Sequence, residues 1–377
     1  MTHEAIPSFD SSKIVLSEVI ELRQQAPDNL ISLIEEGKLE NISHIEDLMP
    51  GQVSILAGGE MSACYFIENN AVPLVVKFRH TSVEAEAETL QKWHEAGARV
   101  PEVKEYGIVP RTATAGNPTK YLILEAIVDE EGRPAPVAYK YLVKHPEALG
   151  AIGDLIGKEL AVMHQVKGGQ KFGGFSDTWG ARRQFEKFSS YVADKLNYYS
   201  AFFNEMGFSE KDLQNLIAKV NMIDFPTESS YVHSDMGMHN VLVESSDPLS
   251  IRIFDPNPLL CDPYWDIARE KNRVDISKIE LDKTPKDKNK RKDYESRLLY
   301  FHALADSYKE SAKISEFDVD RMKINQLVQL TSFIFYQRKK GGIPVITTVP
   351  TKLAEPANAH QALFQHLTTS LIERAEI

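Results

Sequence analysis

The segment that most constrains this chain is Tyr231–Asp255. It reads Tyr231-Val-His-Ser-Asp-Met-Gly-Met-His-Asn-Val-Leu-Val243, then a polar turn over Glu244–Asp247 with Pro248, then Ile251-Arg-Ile-Phe-Asp255. Two short β-branched, apolar runs around a polar turn spell a β-hairpin. The sequence on both sides is helical in period: Leu149–His164, Gln184–Phe203 and Lys211–Ile223 before it, Tyr294–Lys313, Asp318–Arg338 and Pro356–Arg374 after it. A hairpin brings its two outer ends together, so Asn240, just before the outgoing strand, and Asp255, just after the returning one, belong at the same end.

An amide oxygen and a carboxylate meeting there are hard oxygen donors. Mg²⁺ takes one or two such ligands from a protein and fills its shell with water and phosphate oxygens. Asp235, five residues before Asn240, falls in the preceding loop, where it can orient a hydroxyl and take its proton. The competing reading is a polar loop with an ordinary surface hairpin, so the rest of the chain has to decide.

The N-terminal half has a different texture. Val53–Ala57, Ala63–Ile67 and Leu74–Phe78 are short apolar runs broken by Gly58-Gly59 and Asn69-Asn70, the pattern of an antiparallel meander. Thr81-Ser82 can cap a helix over Val83–Ala96 that stops at Gly97, and Tyr121–Ile127 reads as a further strand. The expected class is α+β, a small antiparallel β-rich lobe before a large, mainly helical one. The expected division is an acidic helical extension over 1–50, a small β-rich lobe over 51–127 and a helical lobe over 128–377. Lys283–Lys292, rich in Lys and Asp, reads as a solvated loop. Residues 1–50 carry ten acidic and three basic side chains. Ser17–Gln25 and Asn29–Glu36 there read either as an appended helical segment or as part of a flexible acidic tail.

Composition removes several classes. With 42% hydrophobic residues and a formal charge of −11 over 377 residues, the chain has material for a core and lacks the basic excess of a nucleic-acid binder. No apolar run approaches the length of a membrane span, and the N-terminus has no signal-peptide pattern, so no membrane partner and a cytoplasmic location are expected. Cys64 and Cys261 are too few for a disulfide framework or a four-sulfur zinc site.

Two stretches carry a family resemblance. His233-Ser-Asp-Met-Gly-Met-His-Asn-Val-Leu and Asp255-Pro-Asn-Pro-Leu-Leu-Cys-Asp-Pro-Tyr-Trp-Asp-Ile-Ala268 resemble the catalytic segments of the aminoglycoside phosphotransferase family, within the protein-kinase-like superfamily of small-molecule kinases. The similarity covers roughly residues 51–340. It implies a bilobal kinase-like fold, ATP (or GTP) and Mg²⁺ as cofactors, and a small hydroxyl-bearing acceptor. It makes Asp235 the catalytic carboxylate and Asn240 and Asp255 the metal ligands. Gly58, Gly59 and Ser62 stand where the phosphate-covering loop is expected, and Lys77 where the phosphate-binding lysine lies. Among Glu84, Glu86 and Glu88, Glu86 has Leu90 and Trp93 at the family's spacing and is the expected partner of Lys77. Backbone groups of Glu125 and Ile127 are expected to hold the base.

Three positions depart from the pattern. Ser234 and Cys261 replace glycines, and Pro256 follows the metal aspartate where protein kinases have Phe-Gly. None removes a group needed for phosphoryl transfer. His164, His233, Asp262 and Asp266 are expected to brace structure, and the aromatic group Trp179, Tyr198, Tyr199, Phe202 and Phe203 to be core or pocket wall.

The resemblance implies an aminoglycoside-like antibiotic as the default acceptor, with choline-, homoserine- or sugar-kinase chemistry as the alternative. A nucleotide-binding regulatory module without turnover is the reading from another class. No candidate residue precedes Gly58, so the sequence leads one to expect that deleting residues 1–45 leaves nucleotide binding largely unchanged.

Overall fold

The computed structural model describes residues 28–39, 53–56, 62–68, 72–79, 83–109, 119–175, 184–339 and 358–373. The chain divides into two compact units, one of Met1–Ala87 with Glu102–Ala126, the other of Glu88–Pro101 with Ile127–Ile377. The class is the expected one, an antiparallel sheet region followed by a largely helical part.

The first unit begins with helix α1, residues 28–35. It ends at Gly37, whose φ of +65° suits a residue without a Cβ. Lys38 N–H bonds Leu33 O and Gly37 N–H bonds Ile34 O, both at 2.9 Å, the paired closure of a Schellman motif. Then come β1 (Val53–Leu56), β2 (Ala63–Ile67), β3 (Leu74–Arg79), helix α2 (Glu84–Glu95), β4 (Val103–Ile108) and β5 (Lys120–Glu125). The five strands form one antiparallel sheet in the order β1-β2-β3-β5-β4. Sequence reasoning missed β4, whose side chains are only half-buried or exposed, because a strand exposed on both faces shows no alternation to read.

Leu30, Leu33, Ile34 and Leu39 are buried in one cluster with Ala63, Tyr65, Ile67, Leu74, Val76 and Phe78 of the sheet. For Asn29–Glu36 the helical reading holds and the flexible-tail reading fails, because Leu30, Leu33, Ile34 and Leu39 are core of the first unit. Acidic composition outweighed the apolar spacing at Leu30, Leu33 and Ile34 in that reading. The expected helix over Ser17–Gln25 lies outside the described residues.

The second unit takes the rest of α2 from Glu88 onward. Its helices are α3 (Ala138–Lys144), α4 (Leu149–Gln165), α5 (Phe188–Tyr198), α6 (Ser200–Glu205), α7 (Glu210–Met222), α8 (Tyr264–Lys283), α9 (Lys288–Ala312), α10 (Val319–Lys339) and α11 (Ala359–Glu373). Among them run β6 (Lys167–Gly169), β7 (Gly173–Gly174), β8 (Ser229–Val232), β9 (Val241–Ser246), β10 (Leu249–Ile253) and β11 (Leu259–Cys261). The Lys283–Lys292 loop shrinks to the few residues between α8 and α9. Asp287 caps α9 by accepting from Asn289 N–H at 2.9 Å and Lys290 N–H at 3.2 Å, and an N-cap Asp with charged i,i+4 neighbours is a helix start. No described helix is long and apolar enough to cross a membrane.

One seam holds the helices that carry the site. A Cβ on Gly157 of α4 would lie 2.3 Å from Leu304 O and 2.9 Å from Tyr308 N on α9, so the two backbones touch where only glycine fits.

Two predictions follow from burial. Leu33→Ala should destabilise the protein by about 2–5 kcal/mol in denaturant unfolding, while Glu36→Ala, on the exposed side of the same turn, stays within about 0.5 kcal/mol. Gly157→Ala should cost about 1–3 kcal/mol from overpacking, while Gly150→Ala, whose Cβ meets nothing within 4 Å, should be neutral or gain about 0.5–1 kcal/mol.

Candidate active site

The first unit holds a buried ion pair. Lys77 on β3 is 4% exposed and Glu86 on α2 is 2% exposed. Lys77 Nζ donates to Glu86 Oε1 at 2.8 Å and Oε2 at 3.0 Å, and Arg79, two residues along the same strand face, reaches Oε2 at 3.0 Å. Of the three neighbouring glutamates, Glu86 meets Lys77. Glu84 pairs with Lys120 at 2.7 Å, and in the second unit Glu88 accepts from Tyr231 Oη at 2.8 Å. A buried lysine and carboxylate need each other, since either alone in an apolar interior costs several kcal/mol, about 3–5. Ser62 is buried and its hydroxyl lies 3.6 Å from Cys64 Sγ. Glu125 closes β5 with its N–H on Glu102 O at 2.9 Å. Gly58 and Gly59 lie outside the described residues.

In the second unit, β8 runs straight into the catalytic-type loop and β11 straight into the turn before α8. The two strands are antiparallel, with Val232 opposite Leu259 and Cys261 opposite Ser230, so Asp262 leaves at the end away from His233, and it is the first turn of α8 that brings Asp266 back to the loop. Asp266 is fully buried. It accepts His233 N–H and Ser234 N–H, each at 2.8 Å, and His164 Nε2 lies 3.0 Å away. Burial pushes this carboxyl up, but the His164 hydrogen bond, the charges of His164 and His233, and the His233 N–H outweigh it and hold Asp266 below the usual carboxylate range. Ser234 sits at φ +62°, the left-handed region, which explains why glycine is common there in the resembling family.

His233 braces the loop from within. Its ring is fully buried, contacts Phe254 O through Nε2 at 2.9 Å and stacks on Trp93 with centroids 6.2 Å apart. Phe254 N–H in turn bonds Asn240 O at 3.0 Å, and Val241 pairs with Ile253 across the hairpin. Asn240 and Asp255 therefore flank the same end of β9 and β10. Asn240 donates its amide to Asp235 O at 2.9 Å, which turns its own carbonyl oxygen the other way. Asp255 is held at φ +55°. Among the described residues no group of three or more His, Cys, Asp or Glu gathers as a metal cluster. The donor set at this end, one amide oxygen and one carboxylate, fits a cation that keeps water and phosphate in its shell, as Mg²⁺ does.

Burial also pushes Asp235 up, and it is outweighed by the nearby His239 imidazole and by the charges of Arg269 and His233, so this carboxyl too lies below its ordinary value. Arg269, which sequence reasoning missed, pairs with Asp235 Oδ1. Its signal was spacing: on α8 it follows Asp266 by three, on the same helix face. Arg321 was missed as well. It grips Asp262 through two bonds of 2.6 and 2.8 Å and lies over the Tyr264 ring at 3.9 Å, and Asp262 Oδ1 also takes Tyr264 N–H at 2.8 Å. Asp262 thus holds the start of α8. Ile127 lends its carbonyl to Ala135 N–H at 2.9 Å. Phe202 and Phe203 are core, Tyr199 nearly so, and Tyr198 is 62% exposed; Trp179 is outside the described residues.

A pocket of about 400 Å³ adjoins the loop, lined by Tyr139, Met238, His239, Glu270, Arg273 and Arg297 among others. Its acidic groups are already matched: Arg273 with Glu270 at 2.5 Å, Arg297 with Asp293 at 2.9 Å.

The model of the fructosamine kinase family matches residues 41–279, well over half of the chain. The chain belongs to the fructosamine kinase family. No curated protein sequence matches it. A solved structure from Haemophilus somnus 129PT, named for fructosamine-3-kinase, shares its fold with a TM-score of 0.52 at 15% identity, covering 95% of this chain and 99% of that one. One from Ralstonia eutropha JMP134, named for aminoglycoside phosphotransferase, gives 0.52 at 12% identity, covering 93% and 98%. Aminoglycoside phosphotransferase APH(4)-Ia gives 0.50 at 13% identity, covering 87% and 94%. At such identities the likeness is one of fold. The kinase-like resemblance expected from the sequence holds, and this fructosamine kinase family member is a phosphotransferase acting on a hydroxyl group.

Asp266 yields a pH prediction. Its folded pKa is depressed, so its contribution to stability is complete above about pH 4, the unfolded carboxylate value, and is lost as pH falls through the folded value. Urea unfolding at stepped pH should show wild-type stability falling below about pH 4, with a shallower fall for Asp266→Asn. Equal acid slopes would show that Asp266 titrates alike in both states.

Proposed function

We propose that the protein transfers the γ-phosphoryl group of ATP, with Mg²⁺, to a hydroxyl of a small sugar-derived metabolite of the fructosamine type. The family match carries this reading, because residues 41–279 contain Lys77, Glu86, Asp235, Asn240 and Asp255 together. Mg²⁺, when bound, neutralises phosphate charge. Asn240 and Asp255 would hold it by their oxygens, and Lys77, fixed by Glu86, would hold phosphate oxygens. Asp235 would orient the acceptor hydroxyl and receive its proton. Phosphoryl transfer has a loose transition state, so such positioning and charge neutralisation do most of the catalytic work.

The pocket beside the loop supports a metabolite over an aminoglycoside. A polycation is best held by unpaired carboxylates, whereas Glu270 and Asp293 each already face an arginine. Balanced charge with the aromatic wall of Tyr139 and Tyr300 suits a polyol with little net charge.

ADP release should be measured with ATP, Mg²⁺ and 1-amino-1-deoxyfructose, beside an aminoglycoside panel. The expected result is turnover with the sugar amine, weaker or none with aminoglycosides, and a loss of about 10²–10⁴-fold on Asp235→Asn. Turnover confined to aminoglycosides would overturn the acceptor assignment. Wild-type turnover in Asp235→Asn would overturn the mechanism.

A further inference from the structure

We infer that Arg269 is a positioning residue for phosphoryl transfer: its guanidinium locks the Asp235 carboxylate so that only Oδ2 faces the acceptor. This rests on the reading of Asp235 given under Proposed function.

The loop is gripped from one face of α8. Asp266 takes the N–H groups of His233 and Ser234. One turn on, Arg269 donates through Nη1 to Ser234 O at 3.2 Å and through Nη2 to Asp235 Oδ1. A guanidinium is a planar fork with donors at fixed angles. Spanning a backbone carbonyl and the next residue's carboxylate therefore sets the Asp235 side chain relative to its own main chain, not merely its charge. The other carboxylate oxygen lies on the opposite side. Oδ2 is 3.4 Å from Asn240 Nδ2 and 3.8 Å from His239 Nε2, contacts too long to hold it firmly. The Asp235 side chain is 39% exposed and that of Arg269 is 32% exposed, so the pair is reachable from solvent while Arg269 Nε is buried without a hydrogen-bond partner. That orphan donor marks a side chain placed for its two outer nitrogens.

Without Arg269 the half-exposed carboxylate could rotate about both side-chain torsions, and a misplacement of an ångström at a reacting group costs up to about 10²-fold in rate. The effect belongs to turnover. The proposed nucleotide and metal roles fall on Lys77, Glu86, Asn240 and Asp255 and not on Arg269, so binding of ATP is not expected to change. Lysine in place of Arg269 keeps the charge but has no fork, and bridges the two acceptors poorly.

The test is steady-state ADP release by the full-length protein with Mg²⁺·ATP, with 1-amino-1-deoxyfructose and, separately, with water as the only acceptor. Wild type, Arg269→Met, Arg269→Lys, Asp235→Asn and the Arg269→Met/Asp235→Asn double variant are compared. Arg269→Met should lose about 10–100-fold in kcat with the KM for ATP within about twofold. Arg269→Lys should recover part of that loss. The double variant should be no slower than Asp235→Asn alone, because Arg269 acts only through that carboxylate. Arg269→Lys and the double variant keep the question open to refutation if Arg269→Met folds badly. The inference is overturned if Arg269→Lys and Arg269→Met both turn over like wild type, if the loss falls on the KM for ATP, or if the two single losses multiply in the double variant. Full activity in Asp235→Asn is a different failure: it removes the role of Asp235 itself, and this inference with it.

Discussion

The catalytic loop depends on one buried carboxylate. Asp266, without solvent exposure, accepts the N–H groups of His233 and Ser234 and meets His164. Charge-assisted hydrogen bonds of this kind are worth about 1.5–3 kcal/mol each, and a buried anion lacking them would be far more costly. Their combined effect is to hold Ser234 in a left-handed conformation that a residue with a Cβ avoids, and so to aim Asp235. Loop geometry here is imposed from α8, not chosen by the loop.

The anchor is itself held in place by packing. His164 presents Nε2 to Asp266 because its Nδ1 is engaged by Tyr308 Oη at 3.0 Å. Tyr308 stands on α9, whose backbone comes against Gly157 of α4, and His164 lies two turns further along α4. The glycine seam between two helices thus fixes the distance between a tyrosine and a histidine, and through them a carboxylate. At the other end of the turn, Arg321 on α10 secures Asp262 and with it the first residues of α8. Three helices converge to place α8, and α8 places the loop.

What was readable in the sequence had a local pattern. The hairpin announced itself by two β-branched runs and a turn, and its topology alone put Asn240 and Asp255 at one end. Glu86 was readable because Leu90 and Trp93 follow it at the spacing of the resembling family, which Glu84 and Glu88 do not share. Arg269 was not, since an arginine on a charged helix face looks solvated, and its partner is set by the positive φ of Ser234, which no propensity predicts. The burial of residues 28–39 was hidden for another reason. Leu30, Leu33 and Ile34 have helical spacing, but the helix is only eight residues long, too short to stand out from an acidic segment whose charge suggested solvent. The α9 start was concealed in the same way, because a lysine-rich stretch is a loop or a helix depending on whether an aspartate caps it.

The claim that Asp266 sets the loop is open to direct measurement by hydrogen exchange of the His233 and Ser234 amides in the nucleotide-free protein. Both are donors to a fully buried acceptor, so they should exchange only through large-scale opening, as slowly as core amides of α4, and Asp266→Asn should speed both by a hundredfold or more, about 3 kcal/mol of lost protection. Exchange of these two amides at the rate of exposed loops in the wild-type protein would contradict the account.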